Sequence, residues 1–304
     1  MTADSNAAVS SRTAAGLFVL VIVLWGVNWP VMKVGLAYIP PLHFALLRML
    51  LGGITMFAAA ALAGQLRLPA RQDWPLVVTV GVFQMSAFMA LGFFGLLFVG
   101  SGRAAILAYT TPLWVLPLSL WLLKERVSIG KLAGFALGLT GVAVLFNPAG
   151  FDWGDGRVLL GNGLLLSGAA LWAVQIVQVR GHRWVGTPLS LAPWQHAVAV
   201  AVLAPLAFYF EADASIRWTA ESIAILAYNG PLATGFCFWA MITITRALPA
   251  VTTSIGSLAV PVVGMLSASW WLGEPLSLTN SGGLALIASA VATLALSEAW
   301  ARRA

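Results

Sequence analysis

Small clusters of polar and aromatic side chains stand inside stretches that are otherwise apolar. In the run 14–37, Trp25, Asn28 and Met32 fall at i, i+3 and i+7, which puts an indole, an amide and a thioether on one helix face. The run 158–180 repeats the device with Trp172, Gln175 and Gln178. Arg48 lies about a turn and a half inside the run 42–63. Tyr109-Thr110-Thr111-Pro112, and later Ser254, Ser257 and Pro261, set hydroxyls beside prolines. Gln84, His196, Tyr228, Asn229 and Trp239 are further polar or amphipathic groups within apolar runs. The chemistry on offer is recognition. An indole packs an apolar group, an amide hydrogen-bonds, and a guanidinium fork fits a carboxylate.

Each group also has a plainer reading. Asn and Gln glue membrane helices together. Arg48 could snorkel to the headgroups or pair with a loop acid. Hydroxyls near proline satisfy the carbonyl that proline frees one turn back. His196 is either a cavity group or a packed, hydrogen-bonded histidine. The expected cavity residues are Trp25, Asn28, Arg48, Gln84, Tyr109, Trp172, Gln175, His196, Tyr228, Trp239 and Ser254, with kinks at Pro112 and Pro261.

What is missing narrows the chemistry further. No Asp or Glu stands in a helix interior: Glu125 and Glu274 sit at helix ends and Glu298 in a last turn. A carboxylate proton relay is therefore not expected, and the titratable groups left near the membrane are His43 and His196. One cysteine, Cys237, leaves no disulfide or Cys-based metal site and reads as a small buried hydrophobe. No Asp-rich metal motif, His-Glu-x-x-His or Gly-x-Ser-Gly occurs, so membrane prenyl transferase, zinc protease and rhomboid chemistry are not expected. Neither cofactor nor metal is called for.

These groups must be positioned by helices in a bilayer. Of 304 residues, 60% are hydrophobic and 9% charged, with a mean hydropathy of +0.92; soluble domains carry about 25% charged residues. The pattern predicts ten helices, near 14–37, 42–63, 74–98, 103–123, 129–146, 158–180, 188–209, 219–245, 250–272 and 278–299. The first is too long for the apolar region of a signal peptide, and Trp29-Pro30 replaces a small-residue cleavage site. With ten spans and a cytoplasmic N-terminus, Arg12, Arg67, Arg71, Lys124, Arg126, Lys131, Arg180, Arg183, Arg246, Arg302 and Arg303 lie inside, against Lys33, Arg103, Arg157 and Arg217 outside. Eleven against four puts both termini in the cytoplasm. The net charge of +6 is then topology and not a nucleic-acid surface. Trp74, Trp121, Trp153, Trp184, Trp218, Trp270 and Trp300 read as interface anchors. Ser128 should cap the fifth helix, with Glu125 near its positive end.

The second half repeats the first. Leu24-Trp25-Gly26-Val27-Asn28 aligns with Leu171-Trp172-Ala173-Val174-Gln175 at an offset of 147, which pairs Arg48 with Gln195. Further on the offset is 149: Pro112 pairs with Pro261, Trp121 with Trp270, Glu125 with Glu274 and Ser128 with Ser277. Five helices per half is an odd number, so the halves cross the membrane in opposite senses, as in many secondary transporters. The organisation is a tail at 1–13, repeats at 14–147 and 158–299, an extracytoplasmic linker at 148–157, and a tail at 300–304.

Trp-Gly-x-Asn at 25–28, Tyr38-Ile39-Pro40-Pro41 followed by Arg48, and Glu-Arg-Val-Ser at 125–128 resemble the drug/metabolite transporter superfamily, its EamA-type branch above all. The resemblance implies an all-α membrane protein of ten helices in two inverted repeats, with the fifth and tenth helices outside a central cavity. It also implies a multi-pass protein of the bacterial inner membrane that exports small metabolites, commonly amino acids or related compounds. Small multidrug members have a glutamate in the first helix, and here that helix offers Trp25, Asn28 and Trp29 instead. Because the family carries an arginine at the place of Arg48 whatever its members export, the resemblance favours a structural role for it. The expected partners are a small-molecule substrate and the bilayer, without nucleic acid, in a chain that works as a monomer. The alternatives are a nucleotide-sugar or sugar-phosphate carrier, which would want paired Lys or Arg in the cavity, and a lipid flippase or nonspecific channel.

Overall fold

The structure is a computed structural model of the chain, and it describes residues 9–99, 101–125, 127–146, 154–273 and 278–301. Most of the expected N-terminal tail, most of the 148–157 linker with Trp153, the repeat mates Glu274 and Ser277, and residues 302–304 lie outside the described residues. The first repeat holds α1 (Ser11–Gly35), α2 (Pro41–Leu62), α3 (Trp74–Phe98), α4 (Ser101–Ala108, Thr111–Leu118 and Ser119–Leu123) and α5 (Ile129–Phe146). The second holds α6 (Gly156–Gly181), α7 (Pro188–Phe210), α8 (Ala220–Ala247), α9 (Ala250–Ser257 and Ala259–Leu272) and α10 (Leu278–Ala301). Eight are long and apolar enough to cross a membrane, and α5 and α10 contribute the shorter apolar stretches Ile129–Val144 and Ser281–Thr293. No strand occurs among the described residues. In lipid, helices satisfy their own backbone groups, so this is the architecture the composition demands.

Local chemistry sets the helix ends. Ser10 accepts from the Thr13 amide to start α1, and Asp155 accepts from Arg157 and Val158 to start α6. Reciprocal capping boxes, Thr187 with Ser190 and Thr219 with Ser222, start α7 and α8. Ser128 accepts from the Lys131 amide at the start of α5. Glu125 stands elsewhere than expected. Its carboxylate accepts from the Ala250 and Val251 amides at the start of α9 and stands 3.6 Å from Arg180. It therefore serves the N-terminus of a helix from the other repeat and not that of α5.

The duplication is visible in the irregularities. Two π-helical stretches interrupt α3 at Val80–Ala87 and α8 at Asn229–Phe236, an offset of 149. At the same offset α4 breaks at Tyr109 and α9 at Leu258, and Lys124 and Gly273 end those helices in the left-handed conformation. The breaks come three residues before Pro112 and Pro261, not at the prolines themselves. A proline ring collides with the carbonyl four residues back, so the preceding turn gives way. Carbonyls at the breaks are covered locally: Thr111 donates to the Ala108 carbonyl, Thr110 to Leu107 and Ser257 to Ser254.

Close approaches lock the halves together. A Cβ at Gly230 in α8 would stand 2.3 Å from Leu51 Cβ in α2, and one at Gly81 in α3 would stand 2.7 Å from Val198 Cβ in α7. These are the same contact in the two repeats. Gly26 of α1 meets Val263 of α9, while α5 and α10 pack on each other through Gly141 and Ile287. Loop ties cross the halves as well. At the end of α1, Glu211 accepts from the Leu42 and His43 amides and from His43 Nδ1, Arg217 donates to the Ala37 carbonyl, and Tyr38 donates to Glu221. That hydrogen bond to the Glu221 carboxylate raises the Tyr38 phenol above its ordinary range. At the opposite face Asp73 accepts from Val185, Gly186 and His182.

Gly230→Val should therefore lower the thermal midpoint of the detergent-purified protein by several degrees, since overpacking costs about 1–3 kcal/mol. Gly163→Val, at a position with nothing within 4 Å of a Cβ, is the control. Equal midpoints for both variants would contradict the proposed contact.

Candidate functional site

Four aromatic side chains meet where the repeats meet. Trp25 and Trp172 cross edge to face at 5.4 Å between centroids, Phe238 stands 5.7 Å from Trp25 and 5.6 Å from Trp172, and Phe88 lies 4.7 Å from Trp172. Such pairs are each worth about 0.5–1.5 kcal/mol beyond area burial. The Trp25 indole donates to the Ala233 carbonyl at 2.8 Å, inside the π-helical stretch of α8. The Tyr228 hydroxyl donates to the Leu24 carbonyl at 2.6 Å, again from α8 to α1. The irregular turn of α8 is thus held by the first repeat.

This cluster is the floor of a cavity. From it the lining climbs toward the Gly35 end of α1 along Asn28, Trp29 and Met32, along Met89, Gly92, Phe93 and Leu96 of α3, and past Arg48 and Tyr109. Ala108 and Thr111 of α4 complete the first-repeat walls. The second repeat contributes Trp172, Phe238, Met241 and Ser257. Trp29 and Tyr109 stand edge to face at 6.4 Å. The Asn28 amide is buried and its Oδ1 has no partner among the described residues.

Arg48 is 1% exposed. Its Nε donates to Thr234 Oγ1 at 2.8 Å, its Nη1 contacts Met32 Sδ at 3.1 Å, and its Cζ stands 5.9 Å from the Phe93 centroid. The expectations of snorkelling or of pairing with a loop acid do not hold. The side chain turns inward to the cavity, and none of its partners among the described residues is acidic.

Five expected residues come together here: Trp25, Asn28, Arg48, Tyr109 and Trp172. Six do not line the cavity. Gln84 and Gln175 are buried with Oε1 unpartnered among the described residues. His196 is fully buried, with Nδ1 on the Ala192 carbonyl and its ring 6.2 Å from Phe238. Tyr228 is spent on Leu24, Ser254 on the Val251 carbonyl, and Trp239 packs on Phe236. The physical reason is direction. α1 and α6 run oppositely, so Asn28 lies one turn from Trp25 on the cavity side of the floor, while Gln175 lies one turn from Trp172 beneath it. Gln195, the mate of Arg48, is likewise buried, with both amide atoms unpartnered among the described residues. Phe88, Phe93, Phe238 and Met241 also line the cavity and carry no signal in the sequence, because an all-apolar wall has the composition of packed core. Beneath the floor, Arg180 donates to the Arg246 carbonyl beside Glu125 and ties the ends of α4, α6, α8 and α9 together.

The profile of the EamA-like transporter family matches residues 12–147 and 159–296, one match per repeat. The "Uncharacterized transporter YvbV" of Bacillus subtilis is 28% identical over 281 residues, covering 92% of this chain and 90% of that one. The "Probable terminal-alkyne amino-acid exporter" of Streptantibioticus cattleyicolor is 28% identical over 88% of this chain and 89% of that one. The "Probable amino-acid metabolite efflux pump" of Escherichia coli is 27% identical over 91% and 93%. A crystal structure aligns with a TM-score of 0.76 at 26% identity, over 97% of this chain and 99% of that chain.

The asymmetry of the site can be measured. With Cys237 replaced by Ala, Asn28→Cys in membranes should react with a small thiol reagent about tenfold faster than Gln175→Cys, as thiol reactivity follows access. Equal rates would remove the distinction between cavity wall and packed floor.

Proposed function

The chain belongs to the EamA-like transporter family, and we propose that it exports amino acids or closely related small metabolites from the cytoplasm by alternating access, binding them in the central cavity. The observation that carries this reading is the cavity itself. Repeat-related indoles, Trp25 and Trp172, meet at its floor, with the buried amide of Asn28 one turn above. Indoles pack an apolar side chain and amides hydrogen-bond a polar head. Names of relatives point the same way: one is called an amino-acid exporter and another an amino-acid metabolite efflux pump. Charge supports the choice over phosphorylated cargo, since among the described lining residues only Arg48 is charged.

Eleven cytoplasmic against four external basic residues orient both termini to the cytoplasm in the bacterial inner membrane. The cavity then rises toward the outside from its aromatic floor. The proposed transport unit is the monomer, whose two repeats both contribute to the described lining. Alternating access follows if the halves exchange conformations. Gln84, Gln175, Gln195 and His196, packed beneath the floor with unpartnered polar atoms, then become the wetted walls of a cavity open to the cytoplasm. Leaving such groups unpaired costs about 1–3 kcal/mol each, and access to water relieves that cost in the other state.

The test is uptake of labelled amino acids into inside-out vesicles, normalised to protein level. Trp172→Ala and Asn28→Ala should each weaken export several-fold, and Trp270→Ala, at a side chain that is 90% exposed, should not. Unchanged export in both cavity variants would sink the reading. A second outcome concerns coupling. No Asp or Glu lines the cavity among the described residues, so exchange in proteoliposomes should persist without a pH gradient. Transport that vanishes without the gradient and survives replacement of His43 and His196 by Gln would point to a proton carrier elsewhere.

A further inference from the structure

We propose that Arg48 is the carboxylate-recognising residue of the cavity, and that the transported molecule supplies its missing counter-ion. The inference rests on the cavity being the substrate site and adds the chemical group the substrate must carry. Four observations lead to it. Arg48 is 1% exposed and lines the cavity. Its acceptors among the described residues, Thr234 Oγ1 and Met32 Sδ, are neutral, and the thioether is a weak acceptor. No carboxylate lies within ion-pair distance of it among the described residues. No second cation lines the same cavity among those residues.

Arginine does not escape burial by losing its proton, and a buried charge without a partner is costly. Thr234 occupies only Nε, and Nη1 has only sulfur, so the outer edge of the fork is left for a planar two-oxygen anion. A single guanidinium matches one negative charge, where a phosphate dianion would call for more. Met32, which touches Arg48, and Asn28 are four residues apart on α1, about 6 Å along the axis. The free Asn28 Oδ1 thus offers an acceptor one turn from the fork. A carboxylate at Arg48, an N–H donor at Asn28 and an apolar side chain on the Trp25–Trp172–Phe238 floor describe an α-amino acid. Thr234 is a positioning residue. It lies in the π-helical stretch of α8, so the guanidinium that meets the substrate is held by the other half of the molecule.

The experiment measures thermal stabilisation of the purified full-length protein by standard amino acids, each beside its carboxamide, and by 3-phenylpropionate beside its amide. Wild type should prefer the acid over the amide by about tenfold, the usual advantage of a charge-assisted fork. Arg48→Gln should lose that preference through weaker binding of the acid alone. Trp172→Ala should weaken acid and amide alike. If Arg48→Gln is not monodisperse on size exclusion, Arg48→Lys decides. It keeps the charge and loses the fork, and its acid-to-amide preference should fall several-fold. An undiminished preference in whichever variant is read, no preference in wild type, no binding of any carboxylate, or tighter binding of glucose 6-phosphate overturns the assignment. Failure of all amino acids with an Arg48-dependent preference for 3-phenylpropionate would overturn the amino-acid reading and leave Arg48 assigned. Loss of binding in Trp172→Ala with the preference intact in the Arg48 variant would do the reverse.

Discussion

Inside a bilayer a peptide group without a hydrogen bond has no water to turn to, and most of what is unusual in this chain answers that constraint. Every long element among the described residues is a helix. Where a helix breaks at Tyr109–Thr110 before Pro112, the hydroxyls of Thr110 and Thr111 take up the carbonyls of Leu107 and Ala108. Where α8 widens into a π-helical stretch, the Trp25 indole reaches across from the first repeat to the Ala233 carbonyl. The cavity exists because these irregularities sit at the interface between the repeats, where side chains can cover what the backbone leaves open.

The same constraint explains how two similar halves yield an unsymmetrical site. Repeat-related residues are chemically alike: Trp25 and Trp172, Asn28 and Gln175. Because the halves run oppositely, one member of a polar pair faces the cavity and the other lies beneath the aromatic floor. The Glu125–Arg180 cluster ties the floor side shut through the starts and ends of four helices. Gln175 Oε1, both Gln195 amide atoms and His196 Nε2 are packed there without partners among the described residues, a cost of about 1–3 kcal/mol for each such group.

Charge placement completes the picture. Basic residues that end helices are tied to backbone carbonyls, as Lys33 is to Leu96 and Arg180 to Arg246. The described carboxylates stand at helix ends and loops, where Asp73, Glu125 and Glu211 hold amide groups of the other repeat. Arg48 departs from this pattern, buried in the middle of the molecule against neutral groups. Among the described residues, charge contacts at the helix ends thus serve the scaffold, and Arg48 is the cation that lines the cavity.

Much of this was legible in the residues. Apolar runs of helix length, Pro112 and Pro261 at one offset, and the recurring Trp and amide fixed the ten helices, the repeat and the family, because spanning a membrane leaves few alternatives to a helix and duplication leaves marks in unusual residues. The sequence also pointed to Trp25, Asn28, Arg48, Tyr109 and Trp172. It was silent on Phe88, Phe93 and Phe238, since an apolar cavity wall and an apolar core share one composition. It also named Gln84, Gln175, His196, Tyr228, Trp239 and Ser254, which the structure places outside the cavity lining, since burial depth and the direction of opening are properties of how the halves meet. It misplaced Glu125, whose partners at 250–251 are distant along the chain. Only the tertiary structure decided that Asn28 and Arg48, and not their mates Gln175 and Gln195, line the cavity, and that Arg48 turns inward to Thr234 instead of outward to the headgroups. Those outcomes depend on contacts between residues nearly 200 positions apart, which no local spacing encodes.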